Sequence, residues 1–381
     1  MRERRSQPTA AHGEPGCRGY SAPCGPVGIW APSGERCQSR RAHRASHGLS
    51  RYALDMALPS EVEDLIRPTV DTVYHYTDAS GLLSIVQSNE LWATESHGMN
   101  DTAEIQQGWD FVLAWLRRQD PNDATAKYLL SAALEGGNDY TYTFFCCAST
   151  APDDANQWRN YAAGGHGFAI ELDTAPAYGV VTEVAPPKEP DNPKAIGAIL
   201  PGWIKFLDSY EATPWLNVLY ESSAKERVLE IYLEAARAEG QGVSEEGARS
   251  AERVHFDIGL HERRADLEAI ARLMKAPGFA GEREVRLVVS SFNSRYASLR
   301  AGRYGITMYQ RLARTDSSSA TSEITPRYNF AVGDSRQCLP IPAIWVGPLA
   351  DATTNQSSIR ELLSRGGHES VELVASRVPL R

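Results

Sequence analysis

The sequence predicts an α+β fold, and three observations predict it. From Tyr74 onward, short strand-like runs and helix-like runs follow one another without the even βαβ spacing of a doubly wound parallel sheet. Helical periodicity is strong in NDTAEIQQGWDFVLAWLRRQ, where Ile105, Trp109, Val112, Leu113 and Leu116 share one face. The composition, 381 residues with 42% hydrophobic side chains, is enough to bury a substantial core.

The elements follow in order. VYHYT at 73–77 reads as a strand, and Asp78 caps a helix through SGLLSIVQS. ELWAT is a second strand, followed by the long amphipathic helix and a further helix across DATAKYLLSAALE. YTYTFFCCAS is a buried strand ending at Ser149, DDANQWRNYAA a helix, and HGFAIELD a strand after a glycine turn. Proline at 186–202 predicts a loop, and about 203–275 reads as a mainly helical insertion. EREVRLVVS returns as a strand; a serine-rich loop at 315–323 leads to strands at YNFAV and IPAIWVG, a helix at SSIRELLSR and a last strand at SVELVAS. Residues 57–381 are expected to form a single α+β domain.

Residues 1–56 differ from the rest. They hold nine arginines, no lysine and four acids, in a chain whose net charge is -9, and lack apolar periodicity. This basic arm is expected to be disordered, and Met56 reads as the biological start. The acidic body is a poor general ligand for nucleic acid. No run approaches the ~20 apolar residues of a membrane span, so the expectation is a cytoplasmic protein with no membrane partner. Cys146, Cys147 and Cys338 lack CxxC spacing and read as small core residues.

Nucleotide fingerprints are missing: there is no GxxxxGK[ST], GGHG at 164–167 lacks GxGxxG spacing, and no HExxH occurs. Two acids in GEREVRL raise a sharper question. Read as a strand, this stretch puts Glu282, Glu284 and Arg286 on one face, and like charges two residues apart are solvated at an exposed edge, countered by a cation, or placed for chemistry. In MNDTAE, Asp101 and Glu104 have capping-box spacing. In QWRNYA, Trp158 and Tyr161 lie three apart on a helix, serving either core packing or an aromatic pocket wall. His75 sits on the strand face opposite Tyr74 and Tyr76.

The ordered set YHYT, MNDTAE, QWRNYA, EREVRL and SRVPLR resembles a bacterial domain family of unknown function with YxYT, ND-x-x-E, W-x-x-YA, E-x-E-x-R and S-x-x-P-x-R motifs, over about residues 70–381. The opening strand and helix also resemble, remotely, the ADP-ribosyltransferase toxins of the DarT-like group. That second resemblance implies a split β-sheet core, NAD as the substrate and no metal. It implies Glu284 as the catalytic carboxylate that steadies an oxocarbenium-like ribose, and His75 as a group holding the nicotinamide-side ribose. Glu282 would accept a proton from the nucleophile, and Tyr76 or Trp158 would wall the nicotinamide. Arg286 and Arg381 are the cationic candidates for the pyrophosphate, Arg286 reading foremost as the counter-charge of the acids. The function so implied is that of an ADP-ribosyltransferase or NAD glycohydrolase, a toxin or phage-defence effector with a nucleic-acid or protein acceptor and an immunity partner. The alternatives are a non-catalytic nucleotide or nucleic-acid binding module and a metal-dependent nuclease using Asp101, Glu104, His75 and Glu284.

Overall fold

The buried run FFCC explains the centre of the molecule. In a computed structural model that describes residues 58–96, 104–135, 142–181, 212–238, 260, 263, 264, 266–291, 297–302, 305–315 and 337–380, it lies on strand β3 (Tyr142–Ser149). Phe144, Cys146 and Ala148 enter one apolar cluster, and Phe145 enters a second on the other face. A strand covered on both faces needs apolar residues at successive positions, which is why it reads as a continuous run.

Each face is covered by its own helices. The first cluster joins Leu82, Ile85 and Val86 of α2 (Ala79–Ser88) to Ile359 and Leu363 of α7 (Ala352–Arg365). The second gathers α1 (Ser60–Ile66), α3 (Glu104–Arg117), α4 (Ala124–Glu135), α6 (Ser222–Ala238) and the helical residues 266–272 over Phe145 and Val288. The region expected to be an insertion therefore supplies half of a core, and it also contains the short strand β6 (Leu216–Asn217). All described residues belong to one compact unit within residues 41–381.

The remaining strands are β1 (Thr72–Thr77), β2 (Leu91–Glu95), β4 (Phe168–Asp173), β5 (Ala177–Val180), β7 (Glu284–Ser291), β8 (Ser298–Gly302), β9 (Gly305–Thr315), β10 (Ala343–Val346) and β11 (Glu372–Ala375). They form one sheet in the order β11-β10-β4-β1-β3-β2-β9-β5, with β7 paired to β3 and β6, and β8 to β9. Among these strands every pair is antiparallel except β10 with β11. The α+β class is thus observed. The split core implied by the resemblance is not, because hydrogen bonds link all the strands into a single sheet.

That sheet forks at β3. One edge of β3 is paired with β7 along its whole length, from Tyr142 with Ser291 to Ser149 with Glu284. The other edge is shared: β2 meets Phe144 and Phe145, and β1 meets only Ser149, through Tyr74. Residues 146–148 have no strand beside them on that edge, and β1 and β2 diverge around them.

Several expectations fall elsewhere. The arm at 1–56, the proline-rich segment 186–202, the strand at YNFAV, Asp101 and Arg381 lie outside the described residues. Helix α1 and strands β5, β6, β8 and β9 were not expected from the sequence. Among the described residues no helix is long and apolar enough to cross a membrane.

Candidate functional site

A cleft of about 1030 Å³ opens at the fork of the sheet, and it is lined by His75, Tyr76, Tyr161, Lys275, Glu282 and Glu284, among others. Its floor is the unpaired stretch of β3. A carbonyl left without a ladder partner must find another donor, and His75 supplies it: Nδ1 donates to the Cys147 carbonyl at 2.8 Å. With the proton on Nδ1, Nε2 of the neutral ring is an acceptor. Burial pushes the imidazole below its ordinary 6.5, and the nearby Arg300 charge pushes the same way.

The acidic end is built differently from the strand that the sequence suggested. Residues 277–282 form a 3-10 turn, Arg283 caps it at φ 47°, and β7 begins only at Glu284. The expected common strand face for Glu282 and Glu284 is therefore wrong, and β7 is no exposed edge, since β3 and β6 flank its start. The two carboxylates still meet, through a lysine. Lys275 Nζ donates to Glu282 Oε2 at 2.6 Å and to Glu284 Oε2 at 2.9 Å.

Arg286 shares a strand face with Glu284, as period-two alternation requires. Its Nε donates to Glu284 Oε1 at 2.7 Å and its Nη2 to Oε2 at 3.0 Å, while Nη1 reaches the Arg272 carbonyl at 2.8 Å. Its guanidinium also lies 4.9 Å from the Phe145 ring centroid. At 1% exposure Arg286 does not line the cleft, so its position is that of a counter-charge rather than a phosphate ligand.

Burial alone would raise the Glu284 pKa, but Arg286, then Lys275 and a hydrogen bond from Cys147, lower it to about 2. Glu284 is thus an ionised acceptor at neutral pH. Burial, reinforced by the Glu284 charge, pushes the Cys147 thiol well up, which makes it an unreactive donor. Tyr161 completes the cluster by donating to Glu282 Oε1 at 2.7 Å. Lys275, Tyr161 and Cys147 were missed as site residues, although QWRNYA had drawn attention to Tyr161.

Tyr76 stands at the wall of the cleft, its hydroxyl donating to the Ala151 carbonyl at 2.8 Å. Trp158 is not a wall: it is 0% exposed and packs edge-on behind Tyr76, centroids 4.9 Å apart. Its Nε1 donates to Asp153 Oδ1 at 2.6 Å, and Asp153 also accepts from Ser376 Oγ at 2.6 Å and the Arg377 amide at 2.8 Å. Residues 376–380 of SRVPLR are therefore a clasp at the start of α5 (Ala155–Tyr161), with Val378 and Leu380 packed near Tyr76.

Of the nuclease candidates, Asp101 and the Glu104 side chain lie outside the described residues, and among the described residues no three His, Cys, Asp or Glu side chains converge as a metal site would require.

No curated protein and no solved structure matches this chain. Of the ordered motifs, W-x-x-YA and E-x-E-x-R fall inside the matched segment, and YHYT, MNDTAE and SRVPLR fall outside it. The segment is residues 157–287, from α5 to β7, and it matches the model of a family described as protein of unknown function (DUF2971), which supports the family of unknown function that the motifs pointed to over the stretch carrying Tyr161, Lys275 and both acids.

Proposed function

We propose that the cleft binds NAD and that the protein cleaves its nicotinamide bond, as an ADP-ribosyltransferase or NAD glycohydrolase. The observation that carries this reading is that His75 and Glu284, from opposite ends of the chain's core, line one cleft. Breaking the bond returns its electron pair to the pyridine nitrogen, so nicotinamide leaves neutral and needs no acid. Positive charge gathers on the ribose, and ionised Glu284 is the group to offset it. Neutral His75 offers Nε2 to a ribose hydroxyl, and Tyr76 walls the ring. Water or an acceptor nucleophile then bonds to the ribose carbon and gives up its proton to Glu282, which a ligand would draw from Lys275 or Tyr161.

The acceptor is a nucleic acid or a protein in the transferase case and water in the glycohydrolase case. A toxin or phage-defence effector acting on cytoplasmic NAD, with an immunity partner to restrain it, fits such an activity. A second reading, a module that binds nucleotide without turnover, is favoured by one observation: both Glu284 oxygens already accept from Arg286 or Lys275.

Nicotinamide release from a fluorescent NAD analogue by the full chain, with chelator present and with lysate or nucleic acid as acceptor, separates them. Release that survives chelator and falls in His75→Ala supports the enzyme. Binding without release supports the module, and chelator-sensitive cleavage of a nucleic-acid substrate without nicotinamide release supports the metal-dependent nuclease class instead.

A further inference from the structure

The charges of the cleft are segregated. Lys275 and Arg286 are spent on the two acids. Arg300, on β8, lines the same cleft and is not. Its Nη2 donates to Thr94 Oγ1 at 2.7 Å, and its guanidinium carbon lies 5.2 Å from the Trp92 ring centroid and 5.4 Å from that of Tyr309. Among the described residues no carboxylate forms an ion pair with it. Two aromatic rings and a threonine thus hold a planar cation in place, half-buried, with further N–H donors than Thr94 takes up. His75, which lines the same cleft, is close enough to feel the Arg300 charge and is bonded to the carbonyl of Cys147, whose thiol reaches Glu284.

We propose that Arg300 is the anion-binding group of the cleft, taking the phosphate of a nucleotide-type ligand. The assignment deepens, and rests on, the reading of the cleft as an NAD site, where the pyrophosphate would lie at Arg300 and the nicotinamide-side ribose at His75 and Glu284. A guanidinium fork matches phosphate oxygens two at a time, and the Thr94 hydrogen bond with the cation–π contacts to Trp92 and Tyr309 holds it before the ligand arrives. A positioned cation that pairs with no carboxylate among the described residues is what such a site needs. The sequence had offered Arg286 and Arg381 for this role, and Arg286 is committed to Glu284.

The test uses the full chain and three probes: ADP-ribose, inorganic pyrophosphate and adenosine, which lacks phosphate. Binding is read by calorimetry and by tryptophan fluorescence, which Trp92 should report. Arg300→Met is expected to weaken ADP-ribose and pyrophosphate by roughly 10- to 100-fold and to change adenosine binding by less than about 2-fold. Arg300→Lys, which keeps charge but not the fork, should fall between. Leu299→Ser, at a neighbouring side chain 66% exposed, should bind as wild type does and controls for damage to the hairpin. Equal ADP-ribose affinity in wild type and Arg300→Met overturns the assignment, and so does a wild type that binds neither ADP-ribose nor pyrophosphate saturably. Nicotinamide release on the same samples keeps the two ideas apart. Arg300-dependent binding without release sustains the anion site and sinks the cleavage reading, whereas release with a KM insensitive to Arg300 does the reverse.

Discussion

Replacing Arg286 with methionine removes the main counter-charge of Glu284 and leaves the carboxylate, 7% exposed, with Lys275 as its remaining cation. The structure sets the size of the effect. Glu284 moves from an ordinary 4.5 to about 2 on folding, which at ~1.4 kcal/mol per unit corresponds to about 3 kcal/mol of stability. Breaking a buried pair from one side costs roughly 3–5 kcal/mol, so the two routes agree. Arg286→Met should therefore lose about that much in urea unfolding at pH 7. Because the folded pKa is the lower one, this stability is fully present above 4.5 and is lost as pH falls through about 2. The difference between wild type and variant should shrink as the pH is lowered from 5 to 2.5. Adding Glu284→Gln to Arg286→Met removes the stranded charge and should recover a large part of the loss. A difference below ~1 kcal/mol at pH 7, or one that does not change with pH, refutes the reasoning.

Three further outcomes follow from the same geometry. His75, with its folded pKa lowered by burial, should titrate below 6.5 by NMR of its ring protons; its stabilising contribution is full above 6.5 and declines as pH drops below that value. A Cβ at Gly167 would lie 2.3 Å from the Thr77 carbonyl oxygen, so Gly167→Ala should destabilise by roughly 1–3 kcal/mol in thermal unfolding through displacement of β1 or the glycine turn. Asp153→Ala strands the buried Trp158 N–H and releases Ser376, which should cost roughly 2–4 kcal/mol and make the C-terminal segment sensitive to limited proteolysis.

How much of this was legible in the sequence depends on how local each cause is. Asp78 announces its helix because capping acts over three residues, and it accepts from the Gly81 amide; Asp154, which caps α5 by accepting from the Asn156 and Gln157 amides, was read only as part of a helix across DDANQWRNYAA. FFCC announces a doubly covered strand for the same local reason. Alternation misled at GEREVRL, where E-R-E-V-R continues a strand pattern backwards past its true start. Arg283 takes a left-handed conformation there, which no run of residue types signals. The β8 and β9 pair stayed hidden because its pattern is inverted: Gln310 is buried at 2% while Ile306 is exposed at 81%. With that hairpin unread, Arg300 had no place in the site. Lys275 was beyond reach for another reason, since its role comes from a 3-10 turn that brings it back onto both acids.

Whether Glu284 acts on a ligand seated in the cleft is decided by Glu284→Gln, with NAD affinity and nicotinamide release measured on the same folded protein. Release should fall about 10²- to 10³-fold in turnover while the dissociation constant for NAD stays within a few-fold of wild type. Turnover unchanged in Glu284→Gln, or wild type that binds NAD and releases no nicotinamide, would contradict that role.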